Sequence, residues 1–145
     1  MAAVRLSRLA LPGMQERSWG RIINVLNVGA KAPWGGSAPT TITRAAGMAL
    51  TKVLAHEGAP YNVLSNALLV GFIESGQWVR RRDHLAAGTP MDSFLSEMAK
   101  EQKIPLGRLG TAEEFAKLAG FLASDGGSYI TGTAINVDGG VCPVL

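Results

Sequence analysis

Ser37 is one residue whose neighbours could make it a nucleophile. It lies within GGSAP (35–39), between a Gly/Pro-rich stretch and a predicted helix. This arrangement is similar to a nucleophile elbow, Gly-x-Ser-x-Gly, in which the serine works with a histidine base. The final glycine of that pattern is missing, and His56 and His84 are the only histidines. Ester hydrolysis by Ser37 is therefore one hypothesis, and the alternative is that Ser37 caps the helix.

The other reactive or charged groups have simpler interpretations. Cys142 is the sole cysteine, so a reduced, cytoplasmic setting is expected and the residue is interpreted as a small apolar filler. His56 lies near a helix C-terminus, where a cation is favoured. The basic run 80–82 is interpreted as a solvated helix face, with an anion or phosphate contact as the alternative. We predict no metal site.

Composition limits the class of protein. The chain has 145 residues, of which 47% are hydrophobic, and this predicts a single domain over 1–145 with a substantial core. The net charge of +3 is too small to indicate nucleic-acid binding. No apolar run is long enough to span a membrane. The N-terminal stretch is interrupted at Pro12 and lacks the apolar segment of a targeting peptide, so we interpret it as a helix entered partway.

The hydrophobic pattern predicts an α/β fold with a parallel sheet of about three strands and flanking helices. The first two strands are expected to be buried on both faces. The predicted strands are 21–26, 62–70 and 133–137. The predicted helices are 2–11, ended or kinked at Pro12, then 37–57, a weak helical region 77–103 broken around 88–90, and a helix capped by Thr111.

The helix 37–57 should present a broad apolar stripe. Pro39 falls in its first turn, and Gly58 and Pro60 should end it. The predicted stripe consists of Ile42, Ala45, Ala46, Ala49, Leu50, Val53 and Leu54.

Four stretches resemble the C-terminal half of a short-chain dehydrogenase/reductase: 20–27, 43–57, 62–75 and 104–140. The last contains Pro, Arg, Gly, Glu-Glu, Phe-Leu-Ala-Ser, Thr-Gly and Asp-Gly-Gly in order. The resemblance implies that the predicted α/β fold is a partial doubly wound (Rossmann-like) parallel sheet, about three strands with flanking helices, and that the cofactor is NAD(P). The Gly-x-Gly-x-x-Gly turn that holds the cofactor in that family is absent, and its first four strands have no counterpart here. The cofactor is therefore left open.

The resemblance also assigns candidate site residues. The family's catalytic Ser, Tyr and Lys match Asn27, Thr40 and Arg44, so all three have changed. Together they could bind and polarise a carbonyl group, but they do not supply a proton near neutral pH. The family's nicotinamide-contacting loop matches Gly71, Ile73 and Ser75, with an ordinary turn as the alternative.

Three functions follow as hypotheses. The first is an oxidoreductase by lineage that is not a competent dehydrogenase as an isolated chain. The second is an NAD(P)-dependent oxidoreductase completed by another chain, and the third is the hydrolase described above. We also expect a homo-oligomer formed through helix 37–57 and an exposed edge at strand 21–26, with a small molecule as a possible ligand and neither nucleic acid nor membrane as a partner.

Overall fold

The computed structural model describes residues 2–144 and confirms the predicted α/β fold. Within these residues, three parallel strands form one sheet and are accompanied by five α-helices. The strands are β1 (Gly20–Asn27), β2 (Val63–Val70) and β3 (Ala134–Val137). The α-helices are α1 (Ala2–Glu16), α2 (Ala38–Gly58), α3 (Gly76–Leu85), α4 (Met91–Glu101) and α5 (Ala112–Ala123).

The sheet has the order β1-β2-β3, with β2 in the centre. Every residue from 63 to 69 is buried, as its nearly continuous apolar run predicted. Asn27 lies opposite Val70, and Val70 lies opposite Val137. The carboxyl ends of all three strands therefore meet at one edge of the sheet, where ligands bind in open α/β folds.

Strand β1 departs from its prediction. It was expected to be buried on both faces, but within 20–27 only Gly20 is buried, and Val25 is 61% exposed. The reason is its position, because β2 is its only strand neighbour among the residues described. The expected edge strand is therefore present.

Helix α2 begins and ends as predicted, with Pro39 in its first turn and Gly58 as its last residue. Its apolar stripe was predicted wrongly in part. Ile42, Ala46, Ala49 and Val53 are exposed, whereas the buried residues are Thr41, Gly47, Thr51, Leu54, Ala55 and Gly58. The buried face is made largely of small and hydroxyl-bearing residues because the helix packs closely on the sheet. A Cβ at Gly47 would lie 2.7 Å from Leu26 Cδ2.

Helix α1 does not end at Pro12 but continues to Glu16. Its last turn packs against the start of β1, where Met14 leaves room only for a glycine at position 20. The weak helical region after β2 forms two helices, α3 and α4, separated at 86–90 as predicted. They share an apolar cluster of Trp78, Met98, Ala99, Ile104 and Leu109.

The predicted cap of the last helix is confirmed. Thr111 Oγ1 accepts a hydrogen bond from the Glu114 N–H, and the Glu114 carboxylate accepts one from the Thr111 N–H. This reciprocal pair satisfies two backbone donors at the start of α5. None of the helices in the described part of the chain has the length and apolar character needed to cross a bilayer.

Candidate functional site

A cleft of about 490 Å³ lies at the carboxyl edge of the sheet, where β1 and β2 end. It is larger than the other two cavities described, which measure about 310 and 150 Å³. Its walls are mostly apolar and aromatic, with a few polar groups, which is typical of a small-molecule site. The lining residues are Asn27, Val28, Ala32, Trp34, Val70, Gly71, Phe72, Gln77, Trp78, Arg81, Gln102, Val141, Cys142 and Pro143.

Asn27 is the last residue of β1 and lines this cleft. Its Oδ1 atom is buried and has no hydrogen-bond partner among the residues described. A buried polar atom without a partner is costly, typically by about 1–3 kcal/mol. The amide also carries two N–H donors. The side chain is therefore suited to exchange a hydrogen bond with a ligand in the cleft.

Thr40 and Arg44 lie one turn apart near the start of α2 and contact each other. Arg44 Nη1 donates to Thr40 Oγ1 at 2.7 Å and approaches the Thr40 carbonyl oxygen at 3.4 Å. Neither residue lines the cleft that Asn27 lines. Thr40 and Arg44, which match the family's Tyr and Lys, therefore lie together. They do not line the cleft with Asn27, which matches the family's Ser.

Ser37 is buried and its hydroxyl is fully engaged. It donates to the Trp34 carbonyl at 2.6 Å and accepts from the Trp34 N–H at 3.3 Å and from Thr41 Oγ1 at 2.7 Å. The expected side-chain cap is wrong, because Ser37 holds the N-cap position without a capping hydrogen bond. No hydrogen bond within 2–144 joins Ser37 to His56 or His84, and both histidines are exposed. Ester hydrolysis stays a prediction with no contact that favours it.

The three residues matched to the nicotinamide loop separate in space. Gly71 lines the cleft, and a Cβ there would lie only 2.5 Å from Asp138 Cβ. Ile73 lies beyond it, and its carbonyl accepts a hydrogen bond from Trp78 Nε1 at 2.7 Å. Ser75 is exposed at the start of α3 and is not part of the cleft lining.

Several lining residues were not predicted from the sequence. Trp34 lies in the Gly/Pro-rich loop, and Arg81 belongs to the run interpreted as a solvated face. Cys142 lines the cleft and is partly buried, and its interpretation as a small apolar filler stays a prediction. The carboxylate of Asp138 holds the backbone around Cys142 in place. It accepts hydrogen bonds from the N–H groups of Gly140 at 3.0 Å and Cys142 at 2.7 Å. The Asp-Gly-Gly motif was the signal for this turn.

The cleft fits only part of the cofactor that the fold implies. The unpaired oxygen of Asn27 could accept a hydrogen bond from a small planar carboxamide such as nicotinamide. The diphosphate of a dinucleotide needs a glycine-rich turn at a helix N-terminus. No Gly-x-Gly-x-x-Gly occurs in the chain. These residues therefore do not hold a complete dinucleotide.

Sequence comparison now places the chain among known proteins. The family profile described as Enoyl-(Acyl carrier protein) reductase matches residues 1–142. The chain belongs to the short-chain dehydrogenase/reductase family of oxidoreductases.

Two of its relatives show the extent of the match. It is 39% identical to a 3-oxoacyl-[acyl-carrier-protein] reductase from Pseudomonas aeruginosa over 94% of its own length and 51% of that protein. It is 34% identical to an acetoacetyl-CoA reductase from Shinella zoogloeoides, covering 88% and 49% of the two chains. The chain thus spans about half the length of the curated relatives it matches.

Solved structures confirm the Rossmann-like fold. L-sorbose reductase from Gluconobacter frateurii, solved with NADPH and L-sorbose, superimposes with a TM-score of 0.91 at 34% identity, over 100% of this chain and 56% of that one. A short chain oxidoreductase from Pseudomonas aeruginosa, described as NADPH-bound with an atypical catalytic center, gives 0.84 at 35% identity, over 96% and 52%.

Proposed function

We propose that this chain is a short-chain dehydrogenase/reductase domain that binds a carbonyl compound in the cleft and does not transfer hydride by itself. One observation carries the proposal. Asn27 lines the cleft, whereas Thr40 and Arg44 contact each other and do not. A threonine hydroxyl is a far weaker acid than a phenol, and a guanidinium does not titrate in proteins. None of the three family-matched positions therefore provides a general acid at the cleft.

Asn27 is also the reason for proposing a carbonyl ligand. The N–H groups of an asparagine amide can donate to a carbonyl oxygen and polarise it. Phe72, Trp78 and Val141 give the cleft the apolar surface that an acyl chain would contact. The relatives named above are reductases of 3-oxoacyl and acetoacetyl compounds, both of which contain a carbonyl.

A second candidate is an NAD(P)-dependent oxidoreductase completed by another polypeptide. The observation that favours it is coverage, because the relatives are about twice as long as the matched region. The short chain oxidoreductase from Pseudomonas aeruginosa also supports it, because that relative was solved with NADPH bound and has an atypical catalytic center. In this case Asn27, Thr40 and Arg44 would form the catalytic site, and 71–75 would face the nicotinamide.

Ligand-induced changes in melting temperature distinguish the two candidates. At a tenfold excess over Kd, acetoacetyl-CoA should raise Tm by about 3 °C or more, because it stabilises only the folded state. NADPH should leave Tm unchanged, and absorbance at 340 nm should show no NADPH consumption with the two together. Asn27→Asp should abolish the acetoacetyl-CoA shift.

Thr40→Ala is the matched control. It leaves the cleft lining intact, so the shift should persist in this variant. Stabilisation by NADPH together with turnover that Thr40→Ala removes would contradict the proposal and establish the second candidate.

We also propose that the chain forms a homo-oligomer. Helix α1 exposes Leu6 and Leu9, and helix α2 exposes Ile42 and Val53, with fractional exposures of 50 to 81%. Large aliphatic side chains concentrated on two helices are typical of a subunit interface. The edge strand β1 offers a second surface, because its outer backbone groups face no other strand within the described residues.

A further inference from the structure

We propose that the carbonyl compound bound in the cleft carries an anionic group, and that Arg81 is the residue that binds it. This inference rests on the proposed function and names the substrate class for the same site. The cleft lining contains one charged side chain, Arg81, and no aspartate or glutamate. Arg81 is exposed, so an anionic ligand in the cleft could reach its guanidinium and form charge-assisted hydrogen bonds with it, whereas a neutral ligand could not form them.

The guanidinium of Arg81 lies over the Trp78 ring, and its N–H groups have no hydrogen-bond partner among the residues described. Its Cζ lies 5.7 Å from the centre of the Trp78 ring, a cation–π distance. Trp78 is itself buried and fixed by its hydrogen bond to the Ile73 carbonyl. No hydrogen bond or ion pair of Arg81 occurs among the residues described, whereas its neighbour Arg82 pairs with Asp83. The N–H groups of Arg81 therefore stay available for a carboxylate or phosphate.

Two further side chains with N–H donors lie beside Arg81. Gln77 and Gln102 line the cleft, are exposed, and make no side-chain hydrogen bond within the described part of the chain. Arg81 also borders a neighbouring cavity that Glu97 and Glu101 line, but no ion pair joins it to either carboxylate. Besides the Arg81 cation, the amides of Asn27, Gln77 and Gln102 give the cleft further N–H donors, which can bind an anion.

The remaining walls suit an apolar body between the anion and the carbonyl. The indole of Trp34 is 55% exposed and packs over Gly29, where a Cβ would lie 2.5 Å from Trp34 Cζ3. The Ser37 hydroxyl fixes the Trp34 backbone through its N–H and its carbonyl. The geometry therefore favours an amphipathic oxo compound, with the carbonyl at Asn27 and the charge at Arg81.

Calorimetric titration with three probes tests this assignment. The probes are 4-oxo-4-phenylbutanoate, its neutral methyl ester, and acetoacetyl-CoA, whose charges are phosphates. The wild type should bind at least one anionic probe more tightly than the ester. Arg81→Gln should weaken that binding by about 10- to 100-fold, the effect of losing a hydrogen bond to a charged group. Arg81→Lys should restore part of it.

Arg80→Gln is the control, since Arg80 is an exposed arginine on the same helix that does not line the cleft. It should leave all three affinities unchanged. Loss of affinity for the oxo acid in Arg81→Gln identifies a carboxylate ligand, and loss for acetoacetyl-CoA alone identifies a phosphate.

Two outcomes overturn the inference. If the ester binds as tightly as both anions and Arg81→Gln has no effect, the anionic group is wrong while the proposed carbonyl site stands. If no probe binds the wild type, both proposals fail.

Discussion

At Gly71 the carboxyl edge of the sheet leaves no space for a side chain. A Cβ at this position would lie 2.6 Å from Asp138 Cα, so the backbone would have to move. Gly71→Ala should therefore lower the free energy of unfolding by about 1–3 kcal/mol, the usual cost of overpacking. Urea denaturation measures this directly.

Gly120→Ala serves as the comparison for that substitution. Gly120 lies inside helix α5, and no atom lies within 4 Å of a Cβ built there. Alanine should stabilise this helix by up to about 1 kcal/mol. Equal stability of Gly71→Ala and wild type would show that the contact with Asp138 is not restrictive.

Residues of the candidate site could be predicted only where the secondary structure fixes the position of the side chain. Asn27 could be assigned to the site through the family resemblance, and it lies at a strand end, where the strands of a parallel sheet meet at one edge. Trp34 and Arg81 could not, since one lies in a loop and the other on a helix whose packing depends on distant residues. Ser37 has the neighbours of a nucleophile, but its hydrogen bonds are made with Trp34 and Thr41.

The start of helix α5 should make stability depend on acid pH. The hydrogen bonds to Arg108, at 2.6 and 2.8 Å, and then the Thr111 N–H, at 2.9 Å, lower the pKa of Glu114 from 4.5 to about 2. A carboxyl whose pKa is lower in the folded state stabilises the protein above its unfolded pKa. That contribution is lost as the pH falls from about 4.5 towards 2.

Thermal unfolding of wild type and Glu114→Gln between pH 7 and 2.5 tests this linkage. The wild type should melt higher at pH 7, and the difference should shrink as the pH falls below 4.5. Glu113→Gln is the neighbouring control, because Glu113 makes no side-chain hydrogen bond or ion pair within 2–144. A difference that stays constant with pH would exclude Glu114 as the titrating group.

The sequence predicted the bounds of the helices and strands closely, but it predicted their buried faces less well. Val63–Val70 was predicted correctly as a buried strand, because a nearly continuous apolar run leaves neither face of the strand suited to contact with water. In Ala38–Gly58, alanines occur all round the helix, so periodicity alone did not identify the side against the sheet. Contact with Leu26 selected the side with Gly47 and Thr51, and left Ile42 outside.

The exposed aliphatic side chains of α1 and α2 should hold the molecule in an oligomer. Introducing charge there, as in Ile42→Glu/Val53→Glu, should place carboxylates in the interface and lower the mass measured by light scattering at micromolar concentration to that of a monomer. Val79→Glu is the control, since Val79 is 42% exposed on α3. A wild-type chain that is monomeric at these concentrations would refute the assembly.

The architecture of the whole chain could be predicted because its motifs occur in a fixed order along the sequence. Alternating strands and helices predict a parallel sheet. The position of β3 beside β2 is known only from the structure. Strand β1 has β2 as its only strand neighbour in the described part of the chain, so Val25 is exposed although it belongs to an apolar run. Hydrophobicity reports which residues can be buried, and the available neighbours decide which are.

The tryptophans give the protein a built-in optical reporter. Trp34 and Trp78 both line the cleft, one 55% exposed and the other 6% exposed, while Trp19 lies at the start of β1 with Arg21 over its ring. Emission from a water-exposed indole moves to shorter wavelength when water is displaced. A non-absorbing molecule that displaces water from Trp34 should therefore shift the summed tryptophan emission to shorter wavelength, without an attached dye.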